Sequence, residues 1–110
     1  MARPWVLTRQ AELALADIAI WTEETFGTGQ ASAYAEDLIA TCTALAEGTR
    51  PSRNCRGLVA ADVPEDLRYA RIGQHFVVFV LGPERMVVID FLHQRMDIPA
   101  RLAALGDWDR

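Results

Sequence analysis

Residues 67–93 decide the fold of this chain, and they read LRYARIGQHFVVFVLGPERMVVIDFLH. Runs rich in β-branched and aromatic residues, bounded by Gly and Pro, are typical of strands. This stretch contains three such runs, separated by turns at Gly73-Gln74 and Pro83-Glu84. We therefore predict three antiparallel strands joined by two tight turns.

Both faces of the predicted sheet are apolar. Side chains alternate along a strand, so a turn centred on Pro83-Glu84 groups one face as Phe76, Val78, Val80, Val87, Ile89 and Phe91. We expect that face to meet the helices. The other face then carries His75, Val77, Phe79, Leu81, Met86, Val88, Asp90 and Leu92. If the first turn is centred on Gly73-Gln74, Arg68, Ala70 and Ile72 lie on this face as well. A register slip of one residue would exchange the two faces, so this assignment is conditional.

The second face needs a cover, because small antiparallel sheets usually leave one face wet and polar. One hypothesis is that a C-terminal helix with Leu102 and Leu105 covers it. The other is that this helix covers it only partly and that a partner docks on the rest, since large exposed apolar patches mark interaction sites. In that case Val77, Phe79 and Met86, or the outer surface of the helices, would meet the partner.

Upstream of the sheet, the sequence predicts a short strand and a first helix. The strand is Trp5-Val6-Leu7, and Thr8 is a good N-cap whose hydroxyl can accept from a free backbone N–H. A helix from Arg9 to Thr25 follows, with apolar residues at three- and four-residue steps, namely Ala11, Leu15, Ile18 and Trp21. Gly27 is a typical residue to end it.

A second helix is predicted from a cap at Thr28 to a stop at Gly48. Its apolar stripe is Ala31, Tyr34, Leu38, Cys42 and Leu45. Two helices joined by so short a link are antiparallel neighbours. Residues 58–61 suggest a short irregular strand, and a last helix is expected from Asp97 to about Leu105.

The element order predicts an α+β fold. An N-terminal strand and an antiparallel helical hairpin pack on a small antiparallel sheet, and a short C-terminal helix follows. The 110 residues are expected to form a single domain, 1–110.

Composition excludes several classes of protein. There is no apolar run long enough for a membrane helix and no signal-peptide pattern, so we expect a cytoplasmic protein without membrane contact. The net charge of −4 argues against strong direct binding of nucleic acid, although residues 50–56 hold three arginines and no acid. Cys42 and Cys55 are expected to be reduced thiols. Without ligand spacing for a metal, we expect neither a metal nor a cofactor.

One group of residues resembles an active site: Arg68, His75 and Asp90, with His93 and Arg95 near in sequence. A histidine can act as general acid or base, and an arginine can stabilise a phosphoryl transition state. Such a set would suit RNA cleavage. The alternative is that these histidines are hydrogen-bonded or solvated side chains at strand ends.

Short motifs follow one another along most of the chain: Leu7-Thr8 with Ala11, Leu15, Ile18, Trp21-Thr22, Phe26-Gly27, Gln30-Ala31, Tyr34, Leu38, Leu45-Ala46, Leu67-Arg68, Gly73-x-His75 and Leu92-His93-Gln94-Arg95-Met96-Asp97. In their order and spacing they resemble the ParE branch of the RelE/ParE toxins of bacterial toxin–antitoxin modules. The resemblance implies a small toxin that forms an oligomeric complex with a ParD-like antitoxin. It also implies a helical hairpin packed on a small sheet.

The target that the resemblance implies depends on the branch. ParE-type toxins poison DNA gyrase, whereas RelE-type relatives cut mRNA on the ribosome with several Lys and Arg residues on the sheet. This sequence has no lysine, and Phe76 stands where the nucleases often place Arg. We therefore favour a non-enzymatic inhibitor of gyrase, with His93 and Arg95 as candidates for contact with the target.

Three alternatives to test remain from the sequence. The protein could be the gyrase inhibitor, with Val77, Phe79 and Met86 as candidate contacts for the antitoxin. It could be a ribosome-dependent mRNA endoribonuclease that uses Arg68, His75, His93 and Arg95. It could also be an interaction protein of the same fold without toxicity.

Overall fold

The computed structural model describes residues 3–55, 67–96, 98 and 100. Its elements are β1 (Trp5–Leu7), α1 (Arg9–Phe26), α2 (Thr28–Glu47), β2 (Arg53–Asn54), β3 (Leu67–Ile72), β4 (His75–Leu81) and β5 (Met86–His93). The strands form one sheet in the order β1-β5-β4-β3-β2. The predicted α+β class is confirmed. The predicted strand at 58–61 and most of the predicted C-terminal helix lie outside the described residues.

The sheet is mixed, because β1 runs parallel to β5. The three predicted antiparallel strands are confirmed, and the structure adds the N-terminal strand as a parallel edge of the same sheet. Thr8 fixes the junction between β1 and α1: its backbone N–H donates to the Val88 carbonyl at 3.0 Å and its hydroxyl donates to the Ile89 carbonyl at 2.8 Å. The same hydroxyl accepts from the Ala11 N–H at 3.1 Å, which confirms the predicted N-cap.

A single glycine joins the two helices. Gly27 has φ +93°, its N–H donates to the Glu23 carbonyl at 2.9 Å and its own carbonyl accepts from Ala31 at 3.0 Å. Gly27 is thus both the C-cap of α1 and the N-cap of α2. The prediction that Thr28 caps the second helix was wrong by one residue, since Thr28 already lies inside it.

The two predicted turns of the sheet are correct, but the register between β4 and β5 changes part-way. Near the second turn, Val80 lies opposite Val87, as predicted. Further along, an irregularity between Val78 and Phe79 puts Val78 opposite Asp90. An extra residue in one strand is a β-bulge. It also moves Phe76 from the predicted partner Phe91 to Leu92.

The helices cover the face opposite to the one predicted. Val77, Phe79, Met86 and Val88 are 0% exposed and pack in one cluster with α1 and α2. Phe91, on the far side of the bulge, joins this cluster. Because both faces carry large apolar side chains, the alternation could not show which one the helices would take.

The second face is buried as well. It forms a separate cluster of Cys55, Leu67, Val78, Val80, Ile89 and Leu92, against which Tyr69, Val87 and Ile98 pack. The expectation of an open second face is therefore not met at these residues. The proposed cover by Leu102 and Leu105 lies outside the described residues. In the part of the chain that is described, no helix is long and apolar enough to cross a membrane.

Candidate functional site

An open groove of about 540 Å³ runs along α1 and past the end of β5; we call it the α1 groove. From the helix it is lined by Leu13, Asp17 and Trp21, and from the other side by His93 and Met96 among others. Leu13 is 52% exposed and Met96 is 41% exposed. Among the described residues, most of the large exposed apolar side chains lie on α1, namely Leu13, Ile20, Trp21 and Phe26.

Four rings form a cluster at the end of the groove nearest the turn between β3 and β4. The His75 and His93 rings lie 5.0 Å apart at right angles, and the Trp21 ring lies 5.5 Å from His93 and 5.9 Å from His75. Tyr34 of α2 approaches His75 from the inner side, with ring centroids 5.5 Å apart. The pairing of β4 with β5 sets His75 opposite His93 and so brings the two histidines together.

His75 is held by a partly buried chain of hydrogen bonds. The Tyr34 hydroxyl lies 2.8 Å from the Ile72 carbonyl and 2.6 Å from His75 Nδ1. A hydroxyl has one proton, so if it donates to the carbonyl it must accept from a protonated Nδ1. Burial first and the neighbouring His93 second lower the pKa of His75 to about 4. His75 is therefore neutral at neutral pH and, being 3% exposed, offers little surface to a substrate.

His93 is fixed by the turn that follows it. Its Nδ1 accepts from the Arg95 backbone N–H at 3.0 Å, so in the neutral ring the proton is on Nε2. The same turn is attached to the neighbouring one: Gln94 N–H donates to the Gln74 carbonyl at 2.8 Å, and the Arg71 guanidinium donates to the Gln94 side-chain oxygen at 2.5 Å. The predicted target contacts His93 and Arg95 thus lie together on the wall of the α1 groove.

A model of the ParE toxin family, described as the ParE toxin of the type II toxin–antitoxin system parDE, matches residues 6–98. The chain belongs to the ParE toxin family. It is 33% identical over 103 residues to Toxin ParE1 of Caulobacter vibrioides, covering 91% of this chain and 98% of that protein. It is 35% identical over 101 residues to Toxin ParE of Escherichia coli, with 90% and 92% covered.

A solved structure titled chromosomal ParDE TA system from P. aeruginosa has the same fold. The TM-score is 0.66 at 14% identity, and the match covers 84% of this chain and 96% of that chain. At this identity the likeness concerns the fold alone. It agrees with the ParE family match from sequence.

In this ParE family member, the predicted nuclease set is only partly assembled. His75, His93 and Arg95 line one groove. Arg68 does not join them: its Nε donates to the Ser52 hydroxyl at 2.7 Å and its Nη2 donates to the Ser52 carbonyl at 2.8 Å. It lies on β3 opposite Phe79, four residues before Ile72, whereas His75 is opposite Ile72 at the end of that strand.

The predicted antitoxin contacts on the sheet are inaccessible. Val77, Phe79 and Met86 are 0% exposed beneath the helices, so they offer no surface to a partner in this fold. They were assigned to an outer face, and the physical reason for the error is the exchange of the two apolar faces. The outer surface of the helices, the other location considered, is exposed at Leu13.

Sequence reasoning missed the roles of Tyr34 and Trp21, which it placed among the core residues of their helices. The one signal for Tyr34 was Gly73 in the Gly73-x-His75 motif. Gly73 has φ +55°, and a Cβ there would lie 2.8 Å from Cε1 of Tyr34. This turn therefore needs glycine, so that the tyrosine can reach the backbone and His75.

Two further expectations concerned sulfur and metals. Cys42 and Cys55 are free, buried thiols, and burial raises the pKa of each to about 12. They are therefore poor nucleophiles at neutral pH. Among the residues described, no three His, Cys, Asp or Glu side chains are placed to hold a metal ion.

Proposed function

We propose that this chain is the toxin of a type II toxin–antitoxin module, that it inhibits DNA gyrase without catalysis, and that a ParD-like antitoxin neutralises it. The family match supports the toxin role. The observation that carries the proposal is the α1 groove, whose apolar helix side and polar turn form a surface suited to binding proteins. Aromatic and aliphatic side chains in an open groove are typical of protein contacts.

The histidine geometry favours binding over RNA cleavage. A general acid or base works best when its pKa is near the operating pH. His75 has its pKa lowered to about 4 and its Nδ1 engaged by Tyr34. Arg68 is attached to Ser52 and does not reach the groove, so only one of the two arginines of the nuclease hypothesis, Arg95, lies beside the histidines.

The α1 groove is proposed as the place where the antitoxin docks. Leu13, Trp21 and Met96 are exposed along it, and burying each large apolar side chain is worth ~1.5–3 kcal/mol. His93 and Arg95, proposed as contacts for gyrase, lie on the wall of the same groove. An antitoxin segment seated there would cover those side chains, so neutralisation follows from exclusion of the target.

A supercoiling assay with the purified chain tests the target. We expect gyrase activity to fall with added toxin and to return when the antitoxin is added in stoichiometric amount. Unaffected gyrase at excess toxin contradicts the proposal. Mapping of mRNA 5′ ends after induction covers the endoribonuclease alternative, because new codon-associated cleavage would replace gyrase inhibition as the function.

A matched pair of variants tests the docking site. Leu13→Glu places a charge in the groove, and we expect at least tenfold weaker binding of the antitoxin, since more than ~1.4 kcal/mol of apolar contact is lost. Ile39→Glu is the control, because Ile39 is 50% exposed on the other helix. Equal affinity of both variants would show that the antitoxin binds elsewhere.

A further inference from the structure

A second groove lies at the edge of the sheet formed by β2, opposite the β1 edge, and it is basic. It has a volume of about 740 Å³ and is lined by Arg50, Arg53, Tyr69 and Arg71, with the short edge strand β2 as its rim. We call it the basic groove. None of the described residues that line it is acidic.

The charges of the chain are sorted between its two layers. Residues 9–47, which form the helical hairpin, carry seven acids and one arginine. Residues 48–55 and 67–80 carry four arginines and no acid. Among the described residues, the edge of the sheet formed by β2 and β3 is therefore positively charged although the whole chain has a net charge of −4, and such a patch attracts anions locally.

Two of the three arginines of the basic groove, Arg50 and Arg71, donate to backbone carbonyls. The Arg50 guanidinium donates to the Arg71 carbonyl at 2.5 Å, and Arg71 Nε donates to the Gly73 carbonyl at 2.9 Å. These contacts neutralise no charge. Arg53 has no hydrogen-bond or ion-pair partner among the described residues, and it lies opposite Tyr69 on the adjacent strand.

Tyr69 and Arg71 are two residues apart on β3, so Arg53, Tyr69 and Arg71 point to the same face of the sheet. In a sheet, neighbouring strands are ~4.8 Å apart and alternate residues on a strand are ~6.7 Å apart. Arg53 on β2 and Arg71 on β3 therefore lie within about two strand spacings of each other on this face. That is an arrangement suited to an anionic polymer.

We propose that the basic groove contacts the phosphate backbone of duplex DNA. Arginine is well suited to phosphate, because its planar guanidinium offers paired donors and stays charged. A single-stranded nucleic acid would need exposed rings for its bases to stack on. Tyr69, the one ring that lines the groove in the described part, is half-buried and packs edge-on against Phe76 at 5.8 Å.

A protein partner fits this surface less well. Interfaces between proteins depend on large buried anchors, and no large aliphatic side chain lines the basic groove among the described residues. The inferred contact goes beyond gyrase inhibition, since it is made by the isolated chain. Three arginines favour binding to phosphate, whereas the net negative charge of the chain disfavours it. We therefore expect affinity at the weak end of the non-specific range, with a dissociation constant on the order of 10⁻⁴ M.

The salt dependence of binding to a short, fluorescently labelled DNA duplex tests this inference. Each neutralised phosphate contributes about −0.9 to the slope of log K against log salt. For three arginines the affinity should fall about 40-fold between about 50 and about 200 mM salt. Arg53→Gln removes one of them, and the fall should shrink to about 12-fold.

Two further variants make the result specific. Arg9→Gln is the control with the same charge change, because Arg9 is exposed at the start of α1 and outside the groove. It should keep the 40-fold dependence of the parent chain, which is about that for three contacts. Arg53→Lys should keep it as well, since the charge is retained. Thermal unfolding of each variant checks that the fold is intact.

Several outcomes would overturn the inference. One is no binding to duplex DNA at millimolar protein and low salt. Another is a salt slope that Arg9→Gln changes as much as Arg53→Gln. Tighter binding of single-stranded RNA than of the duplex would assign the groove to RNA. Equal competition by polyglutamate at matched charge would assign it to acidic peptides. Gyrase inhibition by a chain that fails to bind DNA leaves the proposed function standing and removes this one.

Discussion

Replacing Tyr34 by phenylalanine removes one oxygen atom from the contact between the helical hairpin and the sheet. The ring of phenylalanine keeps the packing above Gly73. What is lost is the hydroxyl that lies 2.8 Å from the Ile72 carbonyl and 2.6 Å from His75 Nδ1. Both partners then lose a hydrogen bond in a place where His75 is almost fully buried.

The size of the effect follows from the groups left behind. A buried polar atom without a partner costs about 1–3 kcal/mol. Unfolding entropy scales with chain length at about 2.1 cal/mol/K per residue, so for a chain of this size 1 kcal/mol corresponds to about 4 °C in Tm. We expect Tyr34→Phe to lower Tm by about 4–13 °C.

Thermal and denaturant unfolding of the purified chain measure this effect, and Tyr69→Phe is the matched control. Tyr69 is half-buried on the sheet and is not part of the contact between the two layers, so its change should stay within about 0.5 kcal/mol. A Tyr34→Phe variant no less stable than Tyr69→Phe would refute the claim that the hydroxyl joins the two layers.

Three further predictions concern the same core. Burial lowers the pKa of His75 from 6.5 to about 4, so between these pH values the unfolded chain binds a proton that the folded chain does not. The free energy of unfolding should therefore be highest above pH 6.5 and fall by up to about 3 kcal/mol as the pH drops towards 4. A His75→Gln variant should lose this part of the pH dependence in denaturant titrations. Gly73→Ala combines a φ of +55° with a Cβ 2.8 Å from Tyr34, so unfolding experiments should show a loss of about 1–3 kcal/mol, and an unchanged midpoint would contradict the close approach. Phe79→Ala should cost about 3–5 kcal/mol in the isolated chain, and a loss of antitoxin affinity with full stability would mean that Phe79 is exposed after all.

The helical part of the fold was predictable because its signals are local. Apolar residues at three- and four-residue steps, the Thr8 cap and the glycine between the helices act within a few residues, and the structure follows them closely. The turns of the sheet were predictable for the same reason. Val80 lies opposite Val87 because the Gly82–Arg85 turn fixes the register nearby.

The rest depended on contacts that no local pattern encodes. The bulge beside Val78 has no glycine or proline to announce it, and it displaces every pair beyond it. Both faces of the sheet are apolar, so the sequence did not indicate which face the helices cover. It therefore did not indicate that His75 is buried. The parallel pairing of β1 with β5 joins residues at opposite ends of the chain, which periodicity cannot reveal.

The candidate site was predictable in its composition and not in its arrangement. His93 and Arg95 were chosen from a polar tail after an apolar strand, and they lie on the α1 groove. The first turn groups Arg68 with His75 on one face of the predicted sheet, although Arg68 lies four residues along β3 from the position opposite His75. Trp21 lies beside His93 because α1 crosses the end of β5, a long-range contact between helix and strand.

The pairing of β1 with β5 has a consequence for the synthesis of the protein. Thr8 donates to the carbonyl of Ile89, a separation of 81 residues along the chain. During translation β1 is made early and has no strand to pair with until β5 has been made. Such distant pairing slows folding, and a ribosome that stops early releases a fragment with an unfinished sheet. A chain truncated before β5 therefore leaves β1 without its partner strand.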